Sequence, residues 1–105
     1  MAVGTKLVAY KAKVTTAATR VQLEAGGANG SATNILIQAS TTNTGEVVIG
    51  GSTVVAKAGS QASPERVGVG LAKGAYMSID ITDPAAIWMD AETSKDGISY
   101  FVTYA

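Results

Sequence analysis

Eight carboxylates supply the acidic groups of this chain: Glu24, Glu46, Glu65, Asp80, Asp83, Asp90, Glu92 and Asp96. Histidine and cysteine are both absent. A serine nucleophile therefore lacks the imidazole base that normally activates it, and a cysteine nucleophile has no residue at all. Zinc would find only carboxylate oxygens, a poor donor set for that ion. Paired carboxylates can hydrolyse glycosides, but that chemistry needs a cleft to hold the sugar. A chain of 105 residues with a thin core has little room for one. The expectation is a protein that is not an enzyme, with no cofactor and no metal.

The remaining motifs read the same way. Asp80, Asp83, Asp90 and Glu92 flank two predicted strands, with Asp83 in the bend between them. Calcium takes six to eight oxygens from such loops, yet the spacing matches no EF-hand. Solvated turn carboxylates with one helix cap account for them more simply. Gly68-Val69-Gly70 with Gly74 is no dinucleotide fingerprint, because Lys73 stands where the third glycine belongs. The Asn29-Gly30-Ser31 acceptor triplet is read as a chance match.

Aromatic side chains are the better candidates for function, as binding groups. Trp88, the single tryptophan, Tyr76 and Tyr100 all fall in predicted strands. Such residues either fill a core or anchor an interface. Ile87 and Met89 point opposite to Trp88, so this strand is apolar on both faces. One face is then expected to be covered by something else, such as another subunit. Trp88, Tyr76 and Tyr100 are the interface candidates.

The elements that would carry these residues are strands. Period-two alternation runs through nearly the whole sequence, and no stretch of ten residues keeps a helical period. Strands are expected at 6–14, 20–23, 34–39 and 46–49. The last of these breaks at Gly50-Gly51 and resumes at 53–56, and further strands are expected at 67–72, 75–81, 87–91 and 98–105. Ile35, Ile37 and Ala39 share one face, as do Met77, Ile79 and Ile81. Ile98, Tyr100, Val102 and Tyr104 form another such row. Thr42-Asn43-Thr44-Gly45 and Asp96-Gly97 read as hairpin turns. Residues 24–31 and 59–66 read as loops by composition. Asp83 and Pro84 predict one helical turn, with aspartate capping and proline at the first position.

Seven to eight short strands at this spacing predict an all-β fold: one small antiparallel β-sandwich or jelly roll spanning residues 1–105. Residues 1–5 either pair with the sheets or extend as a short arm. Composition adds a hint of assembly. Apolar residues make up 47% of the chain, but 18 of them are alanine, so the core must be thin. Charged residues are only 15% and the net charge is zero. With no basic cluster beyond Lys6, Lys11 and Lys13, no nucleic-acid partner is expected. No apolar run approaches the roughly 18 residues of a membrane span. The opening residues lack a secretory signal, and synthesis in a cytoplasm is expected.

The order of turns also carries a resemblance. Residues 35–49, ILIQASTTNTGEVVI, are followed by Gly50. Then come Gly70-Leu71-Ala72-Lys73-Gly74, Ile79-Asp80-Ile81-Thr82-Asp83 and Gly97-Ile98-Ser99-Tyr100. Residues 14–23, VTTAATRVQL, precede them. Together, over residues 6–105, they resemble small virion proteins of tailed bacteriophages that decorate or cement the capsid. That resemblance implies a β-sandwich or jelly roll on the capsid surface of the virion, made in the host bacterial cytoplasm. It implies the major capsid protein and a homotrimer of the chain itself as partners, and no catalytic residue. The alternative is a receptor- or carbohydrate-binding module of a tail or fibre, with Trp88, Tyr76 or Tyr10 as a stacking platform.

Overall fold

The structure is a computed structural model that describes residues 6–23, 31–57 and 66–105. The expected arm at 1–5 and most of the two loops at 24–31 and 59–66 lie outside the described residues. Eight strands follow in order: β1 (Lys6–Lys13), β2 (Val21–Gln22), β3 (Ala32–Ala39), β4 (Val47–Gly50), β5 (Val69–Leu71), β6 (Tyr76–Ile79), β7 (Trp88–Ala91) and β8 (Gly97–Tyr104). A 3-10 turn, Pro84–Ala86, precedes β7, and the Asp83 carboxylate accepts from the Ala85 N–H at 3.0 Å. The predicted cap and its proline are thus in place.

Two four-stranded sheets form, in the orders β1-β8-β3-β6 and β2-β7-β4-β5. Every pairing is antiparallel. The partners are nested: β1 with β8, β2 with β7, β3 with β6 and β4 with β5. That is one long hairpin whose tip is the β4–β5 connection, rolled so that β8 also meets β3 and β7 also meets β4. This is the jelly-roll order. The expected all-β sandwich or jelly roll is the fold observed.

Alternation decides which side chains fill the space between the sheets. In β8 the pattern buries Ile98, Tyr100, Val102 and Tyr104, and in β3 it buries Ile35, Ile37 and Ala39. Val47 and Ile49 of β4 and Met89 and Ala91 of β7 close the core from the other sheet. Each fully buried Ile or Val contributes about 1.5–3 kcal/mol relative to exposure. Tyr10 stacks on Tyr100 with ring centroids 5.2 Å apart, and its hydroxyl lies 3.3 Å from that of Tyr104. One sheet row therefore reads Tyr10, Tyr100, Ile37 and Met77, all directed inward.

Three expectations are corrected. The turn at 42–45 and the Asp96-Gly97 turn are not hairpins, because β3 and β4, and likewise β7 and β8, lie in different sheets. Residues 53–56 are not a strand but a loop with a single bridge, Val55 to Val67. Gly97 serves a close approach instead of a tight turn: a Cβ there would meet the Ala12 carbonyl oxygen well inside van der Waals contact.

The two corrected turns are interlocked at one end of the sandwich. The Asn43 side chain donates to the Gly97 carbonyl and accepts from the Gly97 N–H, both at 2.9 Å. It pairs with the backbone as a neighbouring strand would. The Asp96 carboxylate, 5% exposed, accepts from Thr44 N–H at 3.0 Å and Gly45 N–H at 2.8 Å. Backbone bonds from Val14 and Lys95 add the end of β1 to the same knot.

Candidate interaction surfaces

The three aromatic candidates occupy three different environments. Tyr100 is buried against Tyr10 in the core. Tyr76 stands 70% exposed on the outer face of the β1-β8-β3-β6 sheet. Trp88 lies half-buried on the outer face of the other sheet. The structure brings none of them together. Tyr100 is corrected from interface to core, since it faces inward with Ile37 while Tyr76 faces outward with Gln38.

The inward face of β7 is apolar, its outward face carries Trp88 and Asp90, and the chain covers part of that outward face itself. Residues 51–57 fold back over β4 and β7, and Val54 and Ala56 pack with Val48 and Trp88. Asp90, fully buried, fastens this flap: its carboxylate accepts from Ala56 N–H at 3.0 Å and from Ala91 N–H at 2.9 Å. Arg20 adds a bond from its guanidinium to the Val54 carbonyl at 3.0 Å. Trp88 itself stays half-buried, so the flap covers part of the face that was expected to lack an intrachain partner. Asp90 was expected as a solvated turn carboxylate; it shares the outward side of β7 with Trp88, the signal of an acceptor enclosed under a loop.

Next to this flap, Arg66 reaches Glu92 at 3.1 Å and also bonds Glu46. These side chains are about a third exposed, so the pairs contribute little, about 0–1 kcal/mol each. Gly68 lets β5 lie this close: its φ is 123°, and a Cβ would sit 2.6 Å from the Ile49 carbonyl oxygen.

Among the described carboxylates Glu46 and Glu92 meet at Arg66, and the others stand apart. Among the described residues no three acidic, histidine or cysteine side chains are grouped to hold a metal ion. Asp80 accepts from the Asn34 side chain at 2.8 Å, Asp83 caps the 3-10 turn, and Asp90 and Asp96 bind backbone N–H groups. Every buried side-chain polar atom among the described residues has a partner. Asn43, Asp90 and Asp96, the buried polar residues among those described, bond to the backbone at loops, turns and strand ends.

The described residues also line surface hollows. One, of about 490 Å³, lies on the outer face of the β1-β8-β3-β6 sheet over Ala9, Leu36, Ser99 and Phe101. Another, of about 390 Å³, lies at the knotted end between Lys11, Lys13, Lys95, Ser40 and Thr42. The first face is nearly uncharged and includes exposed Leu7 at 59%. It is the surface sequence reasoning missed. Its signal was present in the outward residues of β1, β3 and β8, where Leu7, Leu36 and Phe101 interrupt the polar positions. Among the described residues no helix is long and apolar enough to cross a membrane. Comparison with protein-family models, curated proteins and solved structures gives no match to this chain.

Proposed function

We propose that the chain is a non-catalytic structural domain that acts by covering and joining other protein surfaces. Within that class, its role is a bacteriophage virion protein that decorates or cements the capsid, bound to the major capsid protein where capsomers meet. The supporting observation is a jelly roll whose described buried polar side chains have partners within the chain, beside an outer sheet face that is weakly charged and carries exposed apolar residues. A domain with so thin a core gains stability by mass action once bound, as RT ln(1 + [L]/Kd). The basic hollow around Lys11, Lys13 and Lys95 offers a complementary contact to an acidic shell surface. Cryo-electron microscopy of the purified particle tests this reading. Copies in the hundreds on the shell support it, and absence from the shell would sink it.

A tail or fibre carbohydrate module has one observation in its favour, the exposed ring of Tyr76. The stacking row it needs is missing, since Tyr10 and Tyr100 face the core and Trp88 sits on the opposite sheet under the flap. A few dozen copies or fewer, confined to a tail or fibre, would favour that role.

A further inference from the structure

The outer face of the β1-β8-β3-β6 sheet forms a nearly square grid. Its central outward positions lie in three rows: Leu7, Thr103, Asn34 and Asp80; then Ala9, Phe101, Leu36 and Ser78; then Lys11, Ser99, Gln38 and Tyr76; Lys13, opposite Gly97, lies beyond them at the knotted end. Three strand spacings of about 4.8 Å and four residue rises of about 3.4 Å both come to roughly 14 Å. One diagonal is apolar: Leu7, 59% exposed, at one corner, Phe101 and Leu36 at the centre, and Tyr76, 70% exposed, at the other. The other two corners hold opposite charges, Lys11 on β1 and Asp80 just past β6.

This arrangement is self-complementary. A half-turn about the apolar diagonal lays that diagonal on its own copy. The same half-turn places Lys11 of each copy on Asp80 of the other, twice over. It also sets the strands of the two sheets nearly at right angles, one of the two ways sheets pack face to face. We infer that this face pairs two copies of the chain about a two-fold axis, with Leu7, Leu36, Phe101 and Tyr76 at the contact and two Lys11–Asp80 pairs at the rim. A two-fold contact of this kind is isologous and closes without open-ended growth. The pairing is two-fold, in place of the trimer that the family resemblance implies.

Size sets the strength. With the side chains at its margins included, four strand widths of about 4.8 Å by six residue rises of about 3.4 Å, the face projects to roughly 400 Å² per copy, below the roughly 800 Å² per partner of a standard stable interface. Pairing is therefore weak, with a Kd in the micromolar range or above.

Sedimentation equilibrium of the free chain, from about 1 to 500 µM, tests the inference around that affinity range. The expected result is a monomer–dimer equilibrium that weakens with added salt. Tyr76→Asp, on a side chain that stands clear of the fold, should raise Kd at least about tenfold, or about 1.4 kcal/mol. Lys11→Glu and Asp80→Lys should each weaken pairing, and their combination should restore it. Thermal melts of each variant confirm that it is folded. A monomer throughout, a trimer, a dimer indifferent to Tyr76→Asp, or a double charge exchange without recovery would each overturn the inference. The free chain's weak pairing and the shell compete for this one face, and copy counting on the particle is a separate measurement, so either reading can fail alone.

Discussion

Asp96→Ala is the sharpest test of how the two inter-sheet connections are held. The carboxylate receives the N–H groups of Thr44 and Gly45, and its own backbone carbonyl holds Val14. Truncation to alanine leaves the backbone bond and removes both side-chain acceptors. A hydrogen bond to a charged group contributes about 1.5–3 kcal/mol, so two lost bonds cost at least about 3 kcal/mol. Against a total stability on the order of 5–15 kcal/mol for a domain of this size, that is a large fraction. At about 4 °C or more per kcal/mol, the midpoint of thermal unfolding should fall by at least about 12 °C. Asp96→Asn should lie between. Its amide oxygen can take the place of Oδ2, which accepts from both Thr44 and Gly45, but the charge is gone and its NH2 faces the Thr44 N–H. Calorimetry on the three proteins gives the order directly. A fall of less than about 4 °C for alanine, equivalent to under 1 kcal/mol, would refute the claim that this carboxylate ties the connections together.

Two further outcomes are expected. Gly97→Ala should destabilise by about 1–3 kcal/mol or more, because the added methyl meets the Ala12 carbonyl, a backbone atom that cannot yield cheaply; denaturant melts measure it, and a neutral result would contradict the close approach of β1. Asp90→Ala should free the 51–57 flap by leaving the Ala56 N–H without its acceptor, about 1–3 kcal/mol, and shift Trp88 emission to the red; unchanged emission would mean the flap is held without Asp90.

Strand identity was legible because the side-chain period is two. The rows Ile35, Ile37, Ala39 and Ile98, Tyr100, Val102, Tyr104 announce which side chains go inward, and those are the ones found in the core. Partnership was not legible from the turns. Asn-Thr-Gly and Asp-Gly mark a reversal of the chain, but a reversal can close a hairpin or carry the chain across to the other sheet. In this chain it carries the chain across, and the polar residues of both turns bond to each other instead of to their own flanks. Nothing within either four-residue window contains that information, since Asn43 and Gly97 are 54 residues apart.

The Trp88 strand shows the same limit from the functional side. A strand apolar on both faces requires a cover for each, and local pattern cannot say whether the cover comes from the chain or from a partner. Val54 and Ala56 supply part of it, from a segment that reads as a strand because alternation there serves a flap lying on a sheet. The face that does remain open carries small and polar residues between Leu7, Leu36, Phe101 and Tyr76. Its apolar character emerges only when β1, β8, β3 and β6 are set side by side, since each strand contributes just one of those four residues. The diagonal of charge, Lys11 against Asp80, is likewise a property of register, joining positions 69 residues apart. Surface function in a jelly roll is written across strands, so it becomes readable only after the nesting order β1-β8-β3-β6 is known.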